Sequence, residues 1–350
     1  MIERRKTRSV RVGDVIIGSE APVVIQSMLS APSYDLNGNI SQAIKLKEAG
    51  CQIIRIAVPD HDAVKLIGEL KRRVGLPVVA DIHFDYRLAL ESVEAGVDKV
   101  RINPGNIGGE DRVKAVAEAC KSAGVPIRIG VNSGSIEREI LAKHGGPTPD
   151  AMVESARYHC SLLEKYDFTD IVLSLKSSNV VDMIEAYEKI ARLCDYPLHL
   201  GVTEAGTKEM GVVKSAVGIG SLLTRGIGDT IRVSLTDDPV EEIRAAQNIL
   251  RSIGYYRKGV TLVSCPTCGR TRINLIELAG QVEEALRGVE KPLTVAVMGC
   301  VVNGPGEASQ ADIGVAGGDG CAVLFKKGQI LRKIPEENIL QELLAEIEKL

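Results

Sequence analysis

Over roughly its first 250 residues the chain repeats one unit eight times: a short Val/Ile-rich run, a turn bearing Gly or Asn, then an amphipathic stretch of about 12 to 18 residues. The runs are PVVIQSM from Pro22, IIRIAV from Ile53, PVVADIH from Pro77, KVRINPG from Lys99, PIRIGVNSG from Pro126, DIVLSLKSS from Asp170, PLHLGVTEAG from Pro197 and TIRVSLTDD from Thr230. Helical stretches such as SQAIKLKEAG and RVKAVAEACKSAG lie between them and close on a glycine cap. Strand-helix alternation demands parallel pairing, and eight units are the number that closes a (β/α)8 TIM barrel. An open doubly wound sheet is the alternative, but no G-x-G-x-x-G follows the first strand, and polar residues gather at the strands' C-terminal ends. With three Phe, eight Tyr and no Trp, the core must come from Val, Ile, Leu and Ala, which suits buried parallel strands. SVRVGDVIIGS at the start reads as a hairpin capping the barrel bottom.

Four strands share a pattern in which Arg55, Arg101, Arg128 and Arg232 each stand between Ile or Val neighbours. Period-two geometry sends these guanidinium groups to the face opposite the apolar ones, which in a barrel is its interior and mouth. Lys176 takes the equivalent end of the sixth strand. The same strand ends supply Asp81 and Glu204, with neutral Asn103, Asn132 and Ser135. Five cations against two carboxylates leave a surplus of positive charge. Guanidinium groups match phosphate oxygens in a bidentate way, so a diphosphate or similar polyanion is the expected ligand. Carboxylates on unplaced loops are the competing partners. His83, at the end of the third run, reads equally well as a structural histidine or as a substrate hydrogen-bonder. The run KHGGPTPD reads as a long loop or a solvent turn, and its His144 has no assigned role.

After Gly254 the alternation stops, giving domains of residues 1–254 and 255–350. The second reads as a small α+β domain: strand VTLVSC, helix NLIELAGQVEEALRG, strand LTVAVMGC, a Gly-rich loop, two short strands and a closing helix. Cys265 and Cys268 enclose Pro-Thr, and Cys300 stands alone in GCVVNGPGEA. Structural zinc needs a second Cys pair or a His pair, and the last histidine of the chain is His199, so an iron-sulfur site fits better than zinc. A thioredoxin-like pair would open a βαβ unit, which this run does not. The fourth ligand is open between Glu307, seven residues after Cys300 across Asn-Gly-Pro-Gly, and Cys321, which enters an apolar strand. A carboxylate on iron is readily displaced by a substrate oxygen. Cys51, Cys120, Cys160 and Cys194 read as small buried hydrophobes.

The net charge of −3 offers no broad basic field for nucleic acid or a membrane surface. The basic start MIERRKTRSV leads into VIIG, too short for a signal h-region, and no segment approaches a membrane-spanning length, so the expected location is cytoplasmic, with thiols reduced.

Together SCPTCGRT, GCVVNGPGEA, RIAVPD, VRINPGNIG, VTEAGT and LTDDP resemble the bacterial 4-hydroxy-3-methylbut-2-enyl diphosphate synthases, over essentially the whole chain. The resemblance implies a 4Fe-4S cluster on Cys265, Cys268, Cys300 and Glu307. It implies cyclodiphosphate binding by Arg55, Arg101, Arg128, Lys176 and Ser234, with Asp81, His83, Asn103, Asn132 and Glu204 lining the pocket beside the Arg232 read from the strand pattern. The implied reaction is reductive opening of 2-C-methyl-erythritol 2,4-cyclodiphosphate, with ferredoxin or flavodoxin as electron donor. The mechanistic expectation built on it is that Glu204 donates or relays a proton and that an opened C–O oxygen reaches the iron at Glu307. The implied second domain is similar to those of sulfite and nitrite reductases, and the implied homodimer sets one subunit's cluster over the other's barrel. An electron-transfer protein, or a pterin-type barrel transferase with a structural metal domain, are the rival classes.

Overall fold

A computed structural model describes residues 2–302 and 304–350, which divide into a unit ending at Tyr255 and a second spanning Tyr256–Leu350. The first begins with an antiparallel hairpin, β1 (Val10–Val12) and β2 (Val15–Ile17). Eight parallel strands follow: β3 (Val24–Met28), β4 (Ile53–Ala57), β5 (Val78–Asp81), β6 (Lys99–Ile102), β7 (Ile127–Asn132), β8 (Ile171–Lys176), β9 (His199–Leu200) and β10 (Thr230–Ile231). Their order is β8-β7-β6-β5-β4-β3-β10-β9, and a lone bridge between Leu173 and Leu198 brings β8 to β9, nearly closing the ring. The eight repeats therefore become a TIM-like barrel.

The barrel helices are α1 (Leu36–Glu48), α2 (His61–Arg73), α3 (Tyr86–Glu94), α4 (Glu110–Ala123), α5 (Arg138–His144), α6 (Pro149–Glu164), α7 (Val180–Ala191), α8 (Lys208–Leu223) and α9 (Pro239–Ser252). Their starts are written locally: Asp60, Thr148, Asn179 and Asp238 each accept a backbone N–H of the first turn. The KHGGPTPD run is no long loop. Gly145 in the left-handed region ends α5, and Thr148 with Pro149 at once opens α6.

Val12 and Ile17 of the hairpin form one buried cluster with Val24, Ile53 and Val79, the inward residues at the strand starts. This plugs the barrel bottom. The basic N-terminal arm locks on beside it: Arg4 bonds the carbonyls of Gly18, Ser19, Ala21 and Gly228 and the buried Asp229, while Arg5 bonds those of Ala191, Cys194 and Tyr196. Those charges are structural.

The second unit is a sheet ordered β11 (Thr261–Ser264), β12 (Thr294–Met298), β13 (Ile313–Gly318), β14 (Cys321–Lys326), β15 (Gln329–Pro335), parallel from β11 to β13 and antiparallel after it. Helices α10 (Leu275–Ala285) and α12 (Ile339–Glu348) cover one face, and the single turn α11 (Gly304–Glu307) adjoins the other. The sequence suggests two strands after the Gly-rich stretch, and the structure has three. The Gly-bearing segment IGVAGG is itself the central strand. A Cβ at Gly314 would sit 2.6 Å from Phe325 Cζ and 2.7 Å from Ala296 Cβ, and one at Gly317 would sit 2.7 Å from Ile273 Cγ1. These glycines admit close packing on both faces, where composition suggests a loop.

Candidate active site

Register sets the barrel interior. Arg55 lies beside Val79, Asp81 beside Arg101, Arg101 beside Arg128, and Asn132 beside Lys176, so these side chains share the inward face of adjacent strands. Arg55, Asp81, Asn103, Arg128 and Lys176 are buried and Arg101 nearly so. Asp81 is the hub: one carboxylate oxygen takes Arg101 Nη1 at 2.9 Å, and the other lies 3.6 Å from Arg55 Nε. Burial opposes its ionisation, but Arg55, Arg101 and Arg128 outweigh that and hold its pKa down at about 2. Arg55 also points Nε and Nη2 at Met28 Sδ, and Arg101 Nη2 donates to the Gly130 carbonyl at 3.2 Å.

Arg128 donates Nη1 to Ser174 Oγ at 2.9 Å, while its Nε and Nη2 have no partner among the described residues. Burial and the like charges of Arg55 and Arg101 push its pKa well below the usual value, and burial with Arg55, Arg232, Arg128 and Arg101 does the same to Lys176. Adjacent strands clear space for these long side chains. A Cβ at Gly130 would overlap the Arg101 guanidinium, and one at Gly201 would lie 3.1 Å from Lys176 Nζ. Such a site is built to receive negative charge, because an anion would satisfy idle donors and relieve mutual repulsion together.

Two charges escape the sequence reading. Glu242, buried on α9, takes Arg232 Nη2 at 3.1 Å and also accepts from Ser27 Oγ and the Leu235 N–H, so Arg232 is already paired. Nothing local in the sequence foretells that pairing. Lys99, fully buried, faces inward beside Val79. It stands two residues before Arg101, so the alternation that selects Arg101 selects Lys99 equally. Among the described residues the interior thus holds six basic side chains, Arg55, Lys99, Arg101, Arg128, Lys176 and Arg232, against the carboxylates of Asp81 and Glu242.

At the mouth, Asn132 is half-buried and its backbone N–H meets Ser135 Oγ, and Ser234 is half-buried after β10. His83 and Glu204 are exposed. Glu204 sits at φ +52°, a left-handed conformation unusual outside glycine, asparagine and aspartate. Strain of this kind gathers where a side chain must be aimed.

In the second unit, Cys265 directly follows β11 and Cys300 lies just beyond β12, so both segments leave the same edge of a parallel pair, Ser264 opposite Val297. The Gly299 N–H donates to Cys265 Sγ at 3.1 Å. The Arg270 backbone and guanidinium lower the pKa of the exposed Cys268 thiol, with help from Thr271. Cys268, with weaker contributions from Cys300 and Glu307, raises the Arg270 pKa in turn. Glu307 is exposed at the end of α11, and Asn303 of the Asn-Gly-Pro-Gly run lies outside the described residues. All eight cysteines are free thiols. Among the described residues no three His, Cys, Asp or Glu side chains stand together at coordinating separation. The donor set nonetheless fits a thiolate-bound metal group: reduced sulfurs, a backbone N–H on one of them, and a cation balancing their charge. Cys321, half-buried at the start of β14, has its Sγ against Gly318. Cys51 and Cys120, by contrast, are buried thiols pushed up to about 12 by desolvation, and are core.

Among solved structures, the barrel is similar to dihydropteroate synthase from Yersinia pestis, with a TM-score of 0.51 and 14% identity over 70% of this chain and 98% of that one. It is equally similar to an N-acetylneuraminic acid synthetase from Leptospira borgpetersenii, at TM-score 0.51 and 14% identity over 71% of this chain and 91% of the other. At that distance the likeness shows the fold alone. Curated relatives are far nearer. A Caldanaerobacter subterraneus protein named 4-hydroxy-3-methylbut-2-en-1-yl diphosphate synthase (flavodoxin) is 58% identical over 100% of this chain and 99% of its own, and a Clostridium tetani protein of the same name is 54% identical over the full length of both. The family model described as the GcpE TIM-barrel domain matches residues 7–247, and that of the GcpE protein C-terminal domain matches residues 261–349. This chain therefore belongs to the GcpE family.

Proposed function

We infer that this chain is a 4-hydroxy-3-methylbut-2-enyl diphosphate synthase, which opens 2-C-methyl-D-erythritol 2,4-cyclodiphosphate reductively and removes its hydroxyl. Its full-length relatives carry that name, and the observation in the fold that supports it most directly is the barrel interior. Idle donors on Arg128, together with Lys176 and the Asp81-anchored Arg55 and Arg101, suit a diphosphate. Asp81 fixes the two arginines in position without neutralising the surplus. Asn103, Asn132, Ser234 and His83 stand at the same strand ends, where neutral donors can orient the sugar-derived carbons.

Cys265, Cys268, Cys300 and Glu307 would hold a 4Fe-4S cluster, which when bound supplies two electrons one at a time. Glu307, a single carboxylate at the end of a short turn, is the ligand most easily displaced. Arg270 balances the thiolates' charge. Glu204, exposed and held at positive φ, donates or relays the proton needed as the hydroxyl leaves as water. The relatives' names make flavodoxin the fitting electron donor. The charged mouth and the cysteine module lie in separate units, and a homodimer in which each subunit's module serves the partner's barrel joins them.

Anaerobic reconstitution tests this reading. Iron and acid-labile sulfide in near-equal amounts, with product formed from the cyclodiphosphate under reduced flavodoxin, is the expected result. Zinc without sulfide would instead favour a transferase with a structural metal. Glu204→Gln should keep the cluster's spectrum while turnover drops by roughly 10²- to 10⁴-fold; normal turnover would remove Glu204 from the chemistry.

A further inference from the structure

Lys99 is an interior charge that the reaction above does not use. It opens β6 on the inward face, two residues below Arg101, which is about 6.6 Å along the strand. Its amino group is buried and has no hydrogen-bond partner among the described residues. The charges that act on it are Arg128 of β7 and Arg55 of β4, both cationic. Around them stand Arg101, Lys176, Arg232 and the buried His199, while both interior carboxylates are already engaged, Asp81 with Arg55 and Arg101 and Glu242 with Arg232. Burial and these neighbours push the Lys99 amine well below its ordinary value, so the ligand-free barrel penalises its charged form.

An anion entering the mouth reverses the balance. It compensates Arg55 and Arg128, lifts their repulsion from Lys99, and adds an attraction that only the ammonium form can feel. We propose that Lys99 takes up a proton from solvent when a diphosphate occupies the barrel mouth, so that substrate binding is coupled to protonation beneath the site. This rests on the substrate reading given above. The step is an N–H bond formed at Nζ with the proton supplied by buffer, and nothing is oxidised or reduced. Its sign follows from linkage: the complex holds more protons than its parts, so affinity rises as pH falls through the window between the free and bound Lys99 values.

Lys176, whose amine the same burial and arginines depress, and His199 are the rival acceptors. His199 too is buried, its Nε2 has no partner among the described residues, and Arg128, Lys176 and Lys99 depress it after burial itself. The cyclodiphosphate suits the test because its phosphates are ionised once each and do not titrate near neutrality. Oxidised, cluster-loaded protein without reductant binds it without turnover. Titration calorimetry near pH ~8, in buffers of different ionisation enthalpy, reads the protons absorbed. The expected result is uptake approaching about one proton per barrel, abolished in Lys99→Met and Lys99→Gln and retained in His199→Asn. The Met variant replaces a buried amine by a side chain of similar shape and should fold, and the Gln variant guards against a packing artefact. Heats that do not depend on buffer, or uptake unchanged in both Lys99 variants, would overturn the proposal while leaving the substrate reading intact. Failure of the cyclodiphosphate to bind would overturn that reading and this inference with it.

Discussion

Asp81 shows how one residue can organise a charged interior. Its carboxylate orients Arg55 and Arg101, and Arg128 contributes to its depressed pKa without a direct bond. Replacing it by Asn strands buried guanidinium groups, at a cost of about 3 kcal/mol. The sign of the pH dependence follows. Its pKa falls from an ordinary 3.8 to about 2 in the folded chain. The folded state then binds fewer protons than the unfolded one between those values, so the stabilisation is present above about pH 4 and fades as pH falls toward 2. Denaturant melts of wild type and Asp81→Asn should differ fully near neutrality and converge in acid; a gap that persists at low pH would show that Asp81 acts by shape alone. An added anion should narrow the gap at neutral pH by taking over the bare arginines. Most of this cluster can be read from period-two spacing, which places Arg55, Arg101 and Arg128 on one face. The Arg232–Glu242 pair cannot, because it joins a strand end to a helix whose docking geometry no local pattern encodes.

At the level of elements, the sequence is clearest where one signal dominates. Eight Val/Ile runs bounded by caps become β3 to β10 because parallel strands buried on both faces need such runs. The pattern misleads where glycine serves packing and not turning. β13 is the central strand of the second unit, paired with both β12 and β14, yet its glycines suggest a loop. A Cβ at Gly317 would sit 2.7 Å from Ile273 Cγ1 and 2.9 Å from the Gly299 carbonyl oxygen, next to the cysteine-bearing segment. Gly317→Ala should therefore displace Ile273 and the Gly299 strand end, with a loss of about 1 to 3 kcal/mol. Because Gly299 donates to Cys265 Sγ, the same variant should also alter the metal group's visible spectrum. Gly280→Ala on α10, where a Cβ meets nothing within 4 Å, is the control: it should raise stability by about 0.5 to 1 kcal/mol and leave the spectrum unchanged.

The whole molecule combines two units whose stabilities respond to different ligands. The barrel builds its own core, sealed below by the hairpin and the Arg4 and Arg5 bonds, and what it lacks is negative charge in its mouth. The second unit, Tyr256–Leu350, is small, and three of its four expected metal donors lie in segments leaving β11 and β12. A group bound there ties those segments together and adds its binding free energy to that unit alone. Calorimetry of the loaded protein should resolve two transitions. Removing iron anaerobically should lower one and leave the other in place, while a saturating diphosphate at about 100 times its Kd should raise the unmoved one by about 2.7 kcal/mol. If iron removal lowered both transitions together, the units would be energetically coupled, and the assignment of metal to one and anion to the other would lose its support. The barrel alone, residues 1–254, should then keep the anion-dependent transition and show no iron dependence, since the six interior basic side chains all lie within it.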